Sequence, residues 1–195
     1  MSTTAVPGSE IIPEDTPNPL STKFNLGRAI LDGPAGRDFM SVEAAAGSPL
    51  AQELFTVPGV KGVYVGERFV TVSVHSGSDW WALRPIIVQT LGAFLMSGKP
   101  VFEQGSGSAE VKNQEAAPKF SAIEAGIVRV LENEIQPAVA MDGGYISFAG
   151  FENGVVKLHL RGACHSCPSS MVTLKVGIEN RLKQEFPEIV AVEAV

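Results

Sequence analysis

The stretch 145–168, YISFAGFENGVVKLHLRGACHSCP, decides how this chain folds. Residues 145–151 and 155–160 are rich enough in apolar and β-branched side chains to form strands. Asn153 and Gly154 stand between them, and both tolerate the positive φ that a tight hairpin needs. The chain then turns at Gly162 and presents Cys164 and Cys167. Pro168 suits the first position of a helix, where its missing N–H is no loss. A helix is predicted from Pro168 to about Glu185, with Met171, Leu174, Ile178, Leu182 and Phe186 on one face.

Outward from this stretch the signals continue. Ser121 and Glu124 make a capping box, and Ile123, Ile127, Val130, Leu131 and Ile135 follow at helical spacing. Pro137 marks the region where that helix should end. Residues 189–192 read as a last strand. The order helix, strand, strand, helix, strand implies a small sheet packed by two helices.

Upstream, residues 98–118 are small and polar with few apolar anchors, which predicts a flexible linker. Before it, 48–50 reads as a helix start, with Ser48 as the cap and Pro49 first in the helix. Residues 22–26, 60–65 and 69–74 read as strands, the last two joined at Gly66-Glu67. Val70, Val72 and Val74 alternate with Thr71 and Ser73, as expected of a half-buried strand. Residues 79–96 read as a helix with Trp80, Leu83, Ile87, Leu91 and Phe94 on one face, and Pro85 warns of a kink. The predicted class is α+β in two small domains: a disordered segment at 1–15, a first domain at 16–97, the linker at 98–118 and a second domain at 119–195.

Composition narrows the function. The chain has 195 residues, 45% hydrophobic and 18% charged, so a packed core is expected rather than disorder. The net charge of −6 with no basic run speaks against nucleic acid as a partner. The longest apolar run, 86–96, is broken by Gln89, Thr90 and Gly92 and falls short of the ~20 residues that span a membrane. The first basic residue is Lys23, behind Glu10, Glu14 and Asp15, which fits neither a signal peptide nor an Arg-rich transit peptide. The expected home is the cytoplasm of a bacterium.

Both cysteines of the chain lie within four positions, which suits a reducing compartment and free thiols for redox chemistry or metal binding. A helix N-terminus favours thiolate over thiol, and thiolate is the form that binds metal. Common iron–sulfur clusters take four cysteine ligands. Two per chain means that a cluster held by cysteines alone bridges two copies, or completes its shell with an outside thiol. On spacing alone, a thiol–disulfide oxidoreductase and a structural zinc module stay open beside it.

The residues 162–170, GACHSCPSS, followed by 173–179, TLKVGIE, resemble the C-terminal domain of NifU. Met141-Asp142-Gly143-Gly144 fits that domain too. Thr16-Pro17-Asn18-Pro19 with Lys23-Phe24, Ser48-Pro49-Leu50-Ala51, Leu54-Phe55 with Gly59-Val60, and Asp79-Trp80 resemble the Nfu N-terminal domain. The resemblance implies an iron–sulfur scaffold or carrier, not an enzyme, that receives a [4Fe–4S] cluster (with [2Fe–2S] as the alternative). It implies that Cys164 and Cys167 ligate the iron of that cluster, which the ligand count above places at a homodimer interface. It also implies an upstream assembly scaffold and apo iron–sulfur proteins as partners, with no role for nucleic acid or membrane. Tyr145 departs from the family, which has a polar or acidic residue after the glycine pair.

Other candidates have plainer readings. His165, inside the cysteine motif, is expected to face solvent rather than ligate, and His75 and His159 are read as ordinary strand histidines. Asp142-Gly143-Gly144 is read either as a turn that needs glycine or as part of the site. Trp80 is read as core and Trp81 as a partner-surface candidate, and Ser169 and Ser170 either donate to a cluster or simply start a helix.

Overall fold

The computed structural model describes residues 11–33, 36–103, 120–164 and 168–195, with the backbone alone for 168–173. The chain builds two sheets, each with its own apolar core. The first half holds five antiparallel strands, β1 (Ile12–Asp15), β2 (Ser21–Asn25), β3 (Arg37–Phe39), β4 (Val60–Val65) and β5 (Phe69–Val74), in the order β1-β2-β5-β4-β3. Two helices, α1 (Pro49–Phe55) and α2 (Trp80–Ser97), seal one face of this sheet. Phe24, Val63, Val65, Val70 and Val72 meet Leu50, Leu54, Ile87 and Leu91 there, all fully buried. Ser48 caps α1 by accepting the Ala51 N–H at 3.3 Å, with Pro49 first in the helix, as expected.

Three features of this half differ from the sequence reading. The segment expected to be loose contributes β1, paired with β2 from Ile12↔Asn25 to Asp15↔Thr22. It is an edge strand, where Pro13 removes no ladder bond that the sheet needs, and Ile11 anchors it in the core. The short β3 at the other edge carries no alternation long enough to read. Residues 98–103, expected to belong to the linker, are strapped to the first half. Val101 and Phe102 pack on its core, Ser48 Oγ donates to Val101 O at 2.9 Å, and Arg37 lies 4.1 Å over the Phe102 ring. Two apolar anchors within a polar run suffice to hold it down. The rest of that predicted linker, 104–118, lies outside the described residues. Pro85 does not end α2, because its missing N–H costs only one bond near the exposed start of the helix.

The second half starts with α3 (Ala122–Val130), capped by the expected Ser121/Glu124 box. The helix does not stop at Pro137. It widens into a π-helical turn at Leu131–Ile135 and continues as α4 (Gln136–Met141). A π turn just before a proline relieves the clash of its ring with the carbonyl four residues back. Then come β6 (Gly144–Glu152), β7 (Val155–Gly162), α5 (Pro168–Glu185) and β8 (Ala191–Ala194). β6 and β7 are antiparallel around Asn153 (φ 51°) and Gly154 (φ 78°), the predicted hairpin turn. β8 pairs parallel to β7, with α5 as the crossover. Ile127, Leu131, Val139, Leu158, Ile178, Leu182 and Val192 form the core between sheet and helices. The α+β class and the helix-strand-strand-helix-strand order of this half are therefore as expected. Among the described residues no helix is long and apolar enough to cross a membrane.

Candidate functional site

The end of β7 delivers Cys164 into a corner made by two turns. Ala163 N–H donates to Gly143 O at 3.2 Å, which ties the cysteine turn to the turn between α4 and β6. Gly143 has φ +76°, a conformation that side chains disfavour. Gly144 is held small by the thiol itself, because a β-carbon there would collide with Cys164 Sγ. The Asp142-Gly143-Gly144 signal thus marks the floor on which Cys164 sits. Cys164 is only 6% exposed and belongs to the second core. Cys167 and His165 lie outside the described residues, as do the side chains of Ser169 and Ser170.

The other wall comes from the first half of the chain. Asn18, 2% exposed, uses its side-chain amide three ways: Nδ2 donates to Ser21 Oγ at 3.0 Å and to Ala163 O at 3.1 Å, and Oδ1 accepts from Leu20 N–H at 3.0 Å. Thr71 Oγ1 donates to Gly143 O at 2.7 Å, and Lys23 Nζ donates to Met141 O at 3.2 Å. Lys23 also pairs with Glu14 at 3.4 Å. Farther along, Asp38 Oδ2 accepts from Gly162 N–H, and Arg161 donates to Gly36 O, both at 3.4 Å. Four side chains of the first domain therefore hold the backbone of the two turns that lead into Cys164.

Register explains how one sheet supplies them. Lys23 stands opposite Thr71, and Ser21 opposite Ser73, so all four point to one face of the β2–β5 pair while Phe24, Val70 and Val72 point to the core. Alternation predicts that polar face to be wet. Instead Thr71 is 1% and Lys23 8% exposed, because the cysteine-bearing half lies over them. Sequence reasoning missed Asn18, Lys23 and Thr71 as neighbours of the site. The available signal was Thr16-Pro17-Asn18-Pro19, a rigid turn whose Thr16 Oγ1 bonds Asn18 O and Ser21 O.

Beside Cys164 a cavity of about 560 Å³ opens between Pro17 and Asn18 on one side and α4 and α5 on the other, with Val139, Leu174 and Ile178 in its largely apolar lining. Glu134 at its edge is bound bidentately by Arg181, at 2.7 Å to each oxygen, and that hydrogen bonding holds its carboxyl below the usual range. Tyr64, fully buried at the seam, has its phenol pushed up by burial and then by Tyr145 nearby. Burial also raises Tyr145, with Arg161 working the other way. Among the described residues no group of three His, Cys, Asp or Glu side chains converges to hold a metal. His75 and His159 are exposed, the latter 3.2 Å from Val195 O, in keeping with ordinary surface histidines. Trp80 is partly buried against the first core and donates to Pro19 O at 3.1 Å, whereas Trp81 is 88% exposed.

Comparison with known proteins matches residues 127–193 to the NifU-like domain and 11–98 to the domain described as scaffold protein Nfu/NifU N terminal. The chain is 41% identical over 182 residues to the NFU1 iron-sulfur cluster scaffold homolog, mitochondrial, of Drosophila ananassae, covering 93% of this chain and 63% of the fly protein. It is 42% identical over 183 residues to the Homo sapiens protein of the same description, covering 93% and 70%. The chain thus spans just under two thirds of the length of the fly relative. A solution NMR structure of a NifU-like protein from Saccharomyces cerevisiae matches 53% of this chain and 92% of its own, at 22% identity and a TM-score of 0.43, too loose a likeness to argue from. The relatives overturn the expectation of a bacterial cytoplasm, since their names place them in mitochondria. A stretch poor in arginine describes those residues, not the compartment in which the fold works.

Proposed function

Because this chain belongs to the Nfu/NifU family, we propose that it is a scaffold and carrier of iron–sulfur clusters, with the cluster as its cargo. The observation that carries this reading is the pair Cys164 and Cys167, the only two cysteines of the chain, inside the segment that matches the NifU-like domain. A [4Fe–4S] cube takes four thiolates. Two copies of the chain supply them across a twofold axis, and ligand exchange with a client's thiolates then moves the cluster on. The chain turns over no substrate of its own. Residues 119–195 hold the cluster, 16–97 recognise clients or the upstream donor, and the segment between them tethers the two.

Anaerobic reconstitution with iron and sulfide tests the proposal. Four irons per two chains are expected, with broad absorption near ~400 nm and a mass twice that of the chain. Cys164→Ser and Cys167→Ser each abolish the cluster. A colourless, iron-free product, or a full cube in a monomer without added thiol, rejects it.

A further inference from the structure

We propose that the first domain is a cap on the cysteine turn, and that the cap and a second copy of the chain compete for the same face. The inference rests on the cluster-sharing reading above for its purpose, and on the seam between the two domains for its substance. Asn18, Lys23, Thr71 and Asp38 all bond backbone at 141–143 or 162–163, the two turns that meet at Cys164. The fit is steric as well. A β-carbon on Gly143 would stand 2.9 Å from Thr71 Oγ1, 3.1 Å from Lys23 Cβ and 3.3 Å from Thr16 Cγ2. A larger residue there would push on Thr71 and Lys23 besides straining the backbone at φ +76°.

The consequence concerns access. A cluster bridged between two copies needs the Cys164 sulfur at a surface that a partner reaches. Cys164 is 6% exposed, set in the core of the second half, and the cavity beside it is lined by Pro17 and Asn18 of the first domain. The capped chain and the bridged dimer are therefore alternative states of one molecule, and cluster loading draws the population toward the uncapped one. The seam is suited to opening. Its bonds are polar side chains on backbone, groups that water satisfies when the domains part, and polar interfaces between domains permit relative motion.

Thiol alkylation of the cluster-free full chain tests the cap without iron. In a Cys167→Ser background Cys164 is the sole thiol, and its rate with iodoacetamide reads its access. Thr71→Val keeps the side-chain shape on β5 and removes the bond to Gly143 O. Combined with Asn18→Ala it is expected to raise the alkylation rate at least tenfold, while Thr71→Ser stays within twofold of the parent. Circular dichroism checks that each variant is folded, and Asp38→Ala, at the far edge of the seam, serves if the pair is not. Small-angle scattering is expected to show a larger radius of gyration for the opened variants. Equal alkylation rates in folded parent and opened chains overturn the cap, whatever the cluster does. A clear rate contrast, with no cluster formed when the chain carrying both cysteines is reconstituted, upholds the cap and rejects the carrier reading alone.

Discussion

The two halves of the molecule bury polar side chains in opposite measure. In the first, Asn18, Ser21, Thr22, Lys23, Ser48, Thr71 and Ser73 are all buried, yet among the described residues of the second no polar side chain is. The second half contributes mostly backbone, the carbonyls of Met141, Gly143 and Ala163 and the N–H of Gly162, together with the Arg161 side chain that donates to Gly36 O. Buried polar groups persist only when partnered. Asn18, Lys23 and Thr71 bond that backbone, whereas Ser21 and Ser73 bond each other and Ser48 and Thr22 are partnered within the first half, so three of the seven mark a fitted seam. The asymmetry also implies different roles, with a self-sufficient sheet domain on one side and a smaller domain whose functional corner is finished by its neighbour on the other.

The sharpest way to break this comparison is to ask whether the two cores stand independently. Leu54 and Leu182 are each fully buried, one in each core. Leu54→Ala and Leu182→Ala are each expected to cost about 2–5 kcal/mol through lost burial and the cavity left behind. Calorimetry should show each variant lowering the transition of its own domain, with the other moving by much less. A single transition that both substitutions lower equally would mean that the seam fuses the halves into one cooperative unit.

The next largest effect is expected at the seam itself. Gly143→Ala places a side chain at φ +76° and against Thr71 and Lys23. A loss of roughly 1–3 kcal/mol is expected from the strained backbone, and the crowding loosens the contact between domains. Denaturant titration followed separately in each half should assign the loss to the second domain, with Leu54's core unmoved. An unchanged midpoint would show that the turn shifts freely and that the fit is not specific.

Much of this architecture was legible in the chain because local chemistry and final packing agree there. α5 begins at Pro168 and ends at Glu185 as its apolar spacing requires, and Asn153-Gly154 turns the hairpin with both φ angles positive. What stayed hidden depends on distant partners. β1 has Pro13, Glu14 and Asp15, all poor strand formers, and becomes a strand only because β2 offers an edge. Val101 and Phe102 look like stray apolar residues until α1 and β3 supply a surface. The cysteine motif was visible as chemistry, and family resemblance gave it a reading. The cover over Cys164 was not, because Thr71 and Lys23 obey the alternation of a solvent-facing strand and nothing local says that another domain will lie on them.

The smallest effect comes from the phenols at the seam, and it reports on the cover directly. Tyr64 and Tyr145 are the only tyrosines of the chain, and burial raises both above the ordinary value of 10.0. Arg161 lowers each of them and Asp38 raises Tyr64, but burial is the first cause in both cases. A phenol raised in the folded state keeps its proton where the unfolded chain has lost it. Stability is therefore full below pH 10 and falls as the pH climbs above it, since the unfolded state binds fewer protons there. Tyrosinate absorbance should accordingly lag behind that of the unfolded chain in an alkaline titration. Opening the seam by Thr71→Val with Asn18→Ala should bring Tyr145, which is only partly buried, toward the ordinary value. Tyr64 should follow, since it faces Tyr145 rather than the apolar core of its own sheet. If both phenols keep their lag in the opened chain, each half shields its own tyrosine and the seam has no part in their burial.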